Sequence, residues 1–161
     1  MDDVAIARGL HVLGVVVWIG GVSMVTTVIL PAVRRFKNPQ ERVAFFEAVE
    51  NRFAWQARFT TLLTGLSGFY MMYAQGLWER YTSAAYFWVH MMTAVWLIFT
   101  IVLFVLEPLF LHKWFHRRAT ADPEGTFRIV QTLHWALLTV SLVTVFASLL
   151  GAHGVEFFRG Q

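Results

Sequence analysis

Apolar residues in this chain gather into four long runs, at about residues 4–33, 59–77, 84–111 and 127–150, with polar stretches between them. Each run meets or nearly meets the roughly 20 residues that a helix needs to cross a hydrocarbon core of about 30 Å. The pattern therefore predicts an all-α integral membrane four-helix bundle, a single transmembrane domain over residues 1–161. The first run carries Asp2 and Asp3 where a secretory leader would have a basic segment, and it is too long for a leader's apolar core. It is expected to be a retained span.

The stretch after the first run has a pattern of its own. Asn38 is a candidate N-cap, Pro39 suits the first helical position, and Glu41 completes a capping-box-like arrangement. Phe46, Val49 and Phe53 recur at helical spacing against Arg42, Glu50 and Arg52, which predicts an amphipathic helix over about 39–57, on or rising from the inner surface. Asp122 and Pro123 mark a capped start to the fourth span. Gly14 in the first span, and Gly65 and Gly68 in the second, would let helices or a flat ligand approach closely.

Composition agrees with the pattern: 57% of residues are hydrophobic and 14% charged. Charge then orients the spans. Arg34, Arg35, Lys37, Arg42, Arg52 and Arg58, with Lys113, Arg117, Arg118 and Arg128, make ten of the 13 basic residues, and all ten lie in the segments 34–58 and 112–128. Only Arg8, Arg80 and Arg159 fall on the other side. The positive-inside rule predicts a bacterial-type inner membrane protein with both termini outside. The net charge of +3 follows from topology and contact with anionic lipid, and calls for no nucleic-acid partner. With no cysteine, disulfides, thiolate metal sites and iron–sulfur clusters are excluded.

Against this background the polar residues inside the spans carry the chemistry, because ionisable groups there are rare and usually functional. His11 and His90 each lie roughly 10 Å below the outer ends of the first and third spans, on helices of opposite direction. Arg8 precedes His11 by three residues, and Gly14 and Trp18 continue the same stripe, while Tyr86 and Trp88 flank His90. This set suits a b-type haem: His11 and His90 as ligands to the iron, Arg8 for a propionate, Gly14, Trp18 and Tyr86 around the ring. The competing reading is that each histidine simply hydrogen-bonds a neighbouring helix.

A second set, Arg58, Glu107 and His134, lies in the inner half, and Glu107 precedes Pro108, which removes a backbone donor and kinks or loosens the helix. Glu107 needs a partner, Arg58 or protonated His134. A proton path, a quinone head-group site, a second haem on His134 and His112, or a packing cluster all fit these residues. His112 and His116 share a helix face, but Lys113, Arg117 and Arg118 around them oppose a cation, which makes interfacial anchoring the better reading. His153, at the outer end of the fourth span, is an alternative ligand or a solvated side chain. Met71, Met72, Met91 and Met92 would suit copper through soft thioethers, though methionines in a span more often serve packing. No nucleophile elbow, phosphate loop, zincin or dinucleotide fingerprint occurs.

The first span, "LHVLGVVVWIGGVSMVTTVILPAV", resembles that of the small CopD-like integral membrane proteins and the related HemJ-type protoporphyrinogen oxidases; "FWVHMM" is similar to the start of their third span, and "RFTTLLTGLSGFYMM" to their second. The resemblance implies a four-helix bundle binding haem b, with His11 and His90 at the ligand positions. HemJ-type enzymes carry a lysine shortly after the third-span histidine, where Met92 stands here. The expected function is thus a haem b redox or electron-transfer protein, with a porphyrinogen oxidase, a copper-binding protein, or a non-catalytic subunit as alternatives. Expected partners are lipid, a quinone or porphyrin, and a redox protein or second copy of the chain.

Overall fold

A computed structural model describes residues 2–36, 38–155 and 157. Lys37 and Arg159 of the charge pattern lie outside the described residues. The described chain is helical with no strand, and three of its helical runs are long and apolar enough to cross a membrane: Asp3–Val33, Ala84–Ala121 and Pro123–Ala152. Only 17% of the most apolar stretch of the second of these is covered by protein, as lipid-facing helices allow.

The first run is α1 (Asp2–Met24), a π-helical segment (Val25–Ile29) and α2 (Leu30–Val33). The second apolar block does not stand as a helix of its own. It forms the latter part of α3 (Pro39–Ala74), whose 36 residues extend about 54 Å without a break. The expected amphipathic segment 39–57 and the expected span from residue 59 are continuous because neither glycine nor proline occurs between Gln40 and Thr64. Asn38 caps this helix, its side-chain oxygen accepting from the Gln40 N–H at 2.9 Å, with Pro39 at the first position.

Two short 3₁₀ turns (Leu77–Tyr81 and Ala84–Tyr86) lead into α4 (Phe87–Ile101). A second π segment (Val102–Leu111) and α5 (His112–Ala121) follow without a break. Much of the expected polar connection after residue 111 is therefore helix, and the chain turns only at Asp122, whose carboxylate caps α6 (Pro123–Ala152) at the Gly125 N–H, 2.9 Å away. Pro108 does not break the run, because the wider π register absorbs it.

α1 pairs most extensively with α3, and also with α6; α4 packs against α6 and α3. α1 and α4 thus sit across from each other and meet at the centre, where the Trp18 and Phe99 rings are edge to face at 4.9 Å. Ala57 and Leu138 complete that central cluster from α3 and α6. A second cluster, built on Leu30, Phe46, Phe115 and Phe127, closes the end that carries the exposed Arg34, Arg35, Lys113, Arg117, Arg118 and Arg128, called here the basic end.

Arg42 departs from the expected pattern. Its side chain is buried rather than on a polar face, paired with Glu124, donating to the Phe36 carbonyl at 2.8 Å, and set over the Phe127 ring. It ties the start of α3 to the start of α6, with the guanidinium 5.9 Å from the centre of the Phe127 ring.

Candidate functional site

The inward stripe of α1 is Ala7, His11, Gly14, Trp18, Val22 and Val25, spaced by three or four residues, each buried except the half-buried His11. Ala7, and not Arg8, holds the position one turn before His11. Arg8 is exposed, so it does not share the covered side with the imidazole.

His11 reaches α3. Its Nδ1–H donates to the Thr64 carbonyl at 2.9 Å, and Ser67 Oγ lies 3.4 Å from the same nitrogen. A carbonyl only accepts, so the proton is on Nδ1 and Nε2 carries the lone pair. Gly68 makes this possible: a Cβ there would come within 3.1 Å of the ring. Gly14, expected to leave room for a ligand, is instead covered by α3, since a Cβ on it would stand 2.5 Å from Thr64 Oγ1 and 3.3 Å from the Thr60 carbonyl. Trp18 is likewise taken up in the central core, at 3% exposure.

His90 has different company. It is exposed at the start of α4, with Nε2 3.0 Å from the Tyr81 carbonyl and Nδ1 3.3 Å from the Tyr86 carbonyl, and its ring edge to face with Tyr81. A neutral imidazole owns one N–H, and the shorter contact assigns it to Nε2. Tyr86 and Trp88 lie under the Arg80 guanidinium, 5.2 and 5.8 Å from the ring centres. The structure therefore does not join His11 to His90: one is bonded to α3 and the other to the turn before its own helix.

Towards the basic end the predicted partners do meet. Arg58 pairs with Glu107 through its guanidinium, and its Nε–H donates to the Leu103 carbonyl at 3.0 Å. The second contact has a local cause. In the π register the N–H of residue 108 would bond the carbonyl five residues back, at Leu103, and a proline has no N–H to give. Arg58 supplies the missing donor and neutralises Glu107 at the same time. Pro31 repeats the arrangement in the first run. It leaves the Thr26 carbonyl without its π-register donor, and Gln131 Nε2 of α6 donates there at 2.9 Å.

Gln131 was not among the residues that the sequence singled out; the signal was a polar amide inside an apolar run, with Pro31 five residues after Thr26. Glu50 was also missed as a candidate. It is half-buried on α3, and burial, followed by the negative charges of Glu107 and Glu47, pushes it up to about 7.

His134 is half-buried, donates Nδ1–H to its own helix at Val130 (2.9 Å), and leaves Glu107 to Arg58. His112 is exposed, and among the described residues no hydrogen bond joins it to His134. His116 pairs with Glu47 at 2.9 Å, and His153 is exposed and bonds Leu149 within its own helix. Among the described residues no group of three or more histidine or carboxylate side chains is placed to hold a metal ion.

No protein-family model, no curated protein and no solved structure matches the chain.

Proposed function

We propose that this chain is a four-helix integral membrane protein of a bacterial-type inner membrane, with its termini outside, that binds haem b through His11 and serves as a redox or electron-transfer protein. The observation that carries the reading is the His11 tautomer. An imidazole whose Nδ1–H is fixed on a carbonyl presents a basic, oriented Nε2, the usual preparation of a metal-ligating histidine. Such a group inside a span, with glycine cut away beside its ring, is costly to keep without a use.

The fit to the group is partial. His11 suits it, whereas Gly14 and Trp18 belong to helix packing, and Arg8 and Tyr86 are exposed. His90 is the second ligand on this reading, and must first release the Tyr81 carbonyl that its Nε2 now engages. Haem, when bound, supplies one-electron chemistry between ferrous and ferric iron. The protein's own part is to fix the His11 ring by Thr64 and Gly68, and to exclude water by the packed α1–α3 contact.

The test is an absorption spectrum of the protein purified from haem-replete cells, oxidised and then dithionite-reduced. A sharp reduced α band that disappears in His11→Ala and shifts or disappears in His90→Ala is the expected result. A folded, colourless protein overturns the reading, as does a His11→Ala variant that keeps its haem. Retained copper with no Soret band would instead favour a copper-binding protein, and conversion of added protoporphyrinogen an oxidase.

A further inference from the structure

Arg80, in the turn before α4, is half-buried with its guanidinium over the Tyr86 and Trp88 rings, 5.2 and 5.8 Å from their centres. Among the described residues it makes no ion pair and no hydrogen bond, even with Glu79 beside it in sequence. Its platform is nevertheless fixed. The Tyr81 hydroxyl bonds Thr93 Oγ1 at 2.7 Å, His90 Nε2 donates to the Tyr81 carbonyl at 3.0 Å, and the Tyr86 and Trp88 rings meet edge to face. A guanidinium held by ring faces keeps the N–H groups along its edge open, and that edge is the one that receives an oxyanion through two bonds.

Trp88 joins this cation to the seam between α4 and α6. It is buried, and its indole rests on Gly151 of α6, where a Cβ would collide with the ring. Further along the same seam lies a shallow apolar hollow, lined by Val95, Ile98 and Phe99 of α4 and by Leu137, Val140 and Ser141 of α6. Trp88, Val95 and Phe99 share one helix face by their spacing, and the hollow is about 10–15 Å deeper than Trp88. An acyl chain, which spans half of a core of about 30 Å, covers that distance.

We propose that Arg80 and the α4–α6 seam bind one phospholipid of the leaflet opposite the basic end, its phosphodiester on the Arg80 edge and one acyl chain along the seam into the hollow. Charge selects this occupant, because an unpaired cation beside the apolar seam suits an anion that carries a hydrocarbon tail. The exposed Trp78 and Tyr86 near Arg80 suit the headgroup level, where aromatic belts lie. The inference rests on the membrane-spanning part of the reading above and not on haem.

Native mass spectrometry of the full chain, released from detergent after titration with long-chain phosphatidylglycerol, tests it. One retained lipid is expected, with retention about tenfold weaker in Arg80→Ala and weakened less in Arg80→Lys, which keeps the charge but not the fork. Arg8→Ala, the same charge change at the same end, leaves retention unchanged. Ile98→Trp fills the hollow and weakens binding of the long-chain lipid but not of its dihexanoyl form. The proposal is overturned if Arg80→Ala keeps the lipid, if Arg8→Ala loses as much, if Ile98→Trp changes nothing, or if glycerol phosphate displaces the lipid, which marks a site for a free anion. A chain that stays soluble without detergent and does not enter nanodiscs overturns the membrane reading itself, a failure distinct from loss of the lipid.

Discussion

The two polar centres of this molecule solve the problem of a polar group in an apolar setting in opposite ways. At His11 a side chain uses a carbonyl that its helix partner already commits to regular α-helix, and it keeps one ring nitrogen uncommitted. Around Pro31 and Pro108 the backbone itself creates the need, because each proline leaves a carbonyl five residues earlier without its donor, and Gln131 or Arg58 from a neighbouring helix meets it. In the first centre the polar residue is a resource left open. In the second it is consumed in holding the fold, and Arg58 additionally cancels a half-buried charge. A proline in such a helix is therefore more than a breaker: it creates an acceptor that an adjacent helix can read.

That contrast predicts a ranking of substitutions. The largest effect is expected from Arg58→Leu, which strands both the Glu107 carboxylate and the Leu103 carbonyl and should cost about 3–5 kcal/mol in unfolding measured in detergent. Arg58→Lys keeps the charge opposite Glu107 but loses the planar fork, so partial recovery is expected; full recovery would show that the Leu103 contact is idle. Next comes Gly14→Leu, which forces α1 off the Thr60–Thr64 turn at a cost of about 1–3 kcal/mol, where Gly9→Leu, with nothing within 4 Å of its Cβ position, should be close to neutral. The smallest of the three costs is expected from Gln131→Leu, about 1–2 kcal/mol for one carbonyl left unmet, with Gly9→Leu as the near-neutral reference. If Gln131→Leu proved as costly as Arg58→Leu, the distinction between a neutral cap and a charge-bearing one would fail.

Parts of this architecture were legible before the coordinates. The apolar runs were visible because crossing length is a local property, and three of the four appear in helices that satisfy it. The Asn38 and Asp122 caps were visible because capping involves residues only two or three apart. The pairing of Arg58 with Glu107 followed from the cost of leaving either alone in apolar surroundings, although His134 was an equal candidate until the helices were placed. Matching depth was a weaker guide for His11 and His90. Depth says nothing of rotation about the helix axis or of which helices are neighbours, and α1 and α4 sit across the core from each other with the two rings on different partners.

The sequence by itself determined where the apolar helices lie, where two of them start, and which positions could not bond their own backbone, since each of these depends on residues within a turn or two. Only the tertiary structure decided that α3 covers Gly14, that Arg42 turns inward to Glu124, and that Gln131 answers Pro31. These contacts join residues dozens of positions apart, and it is the packing of helix against helix that sets which side chain faces which unmet group.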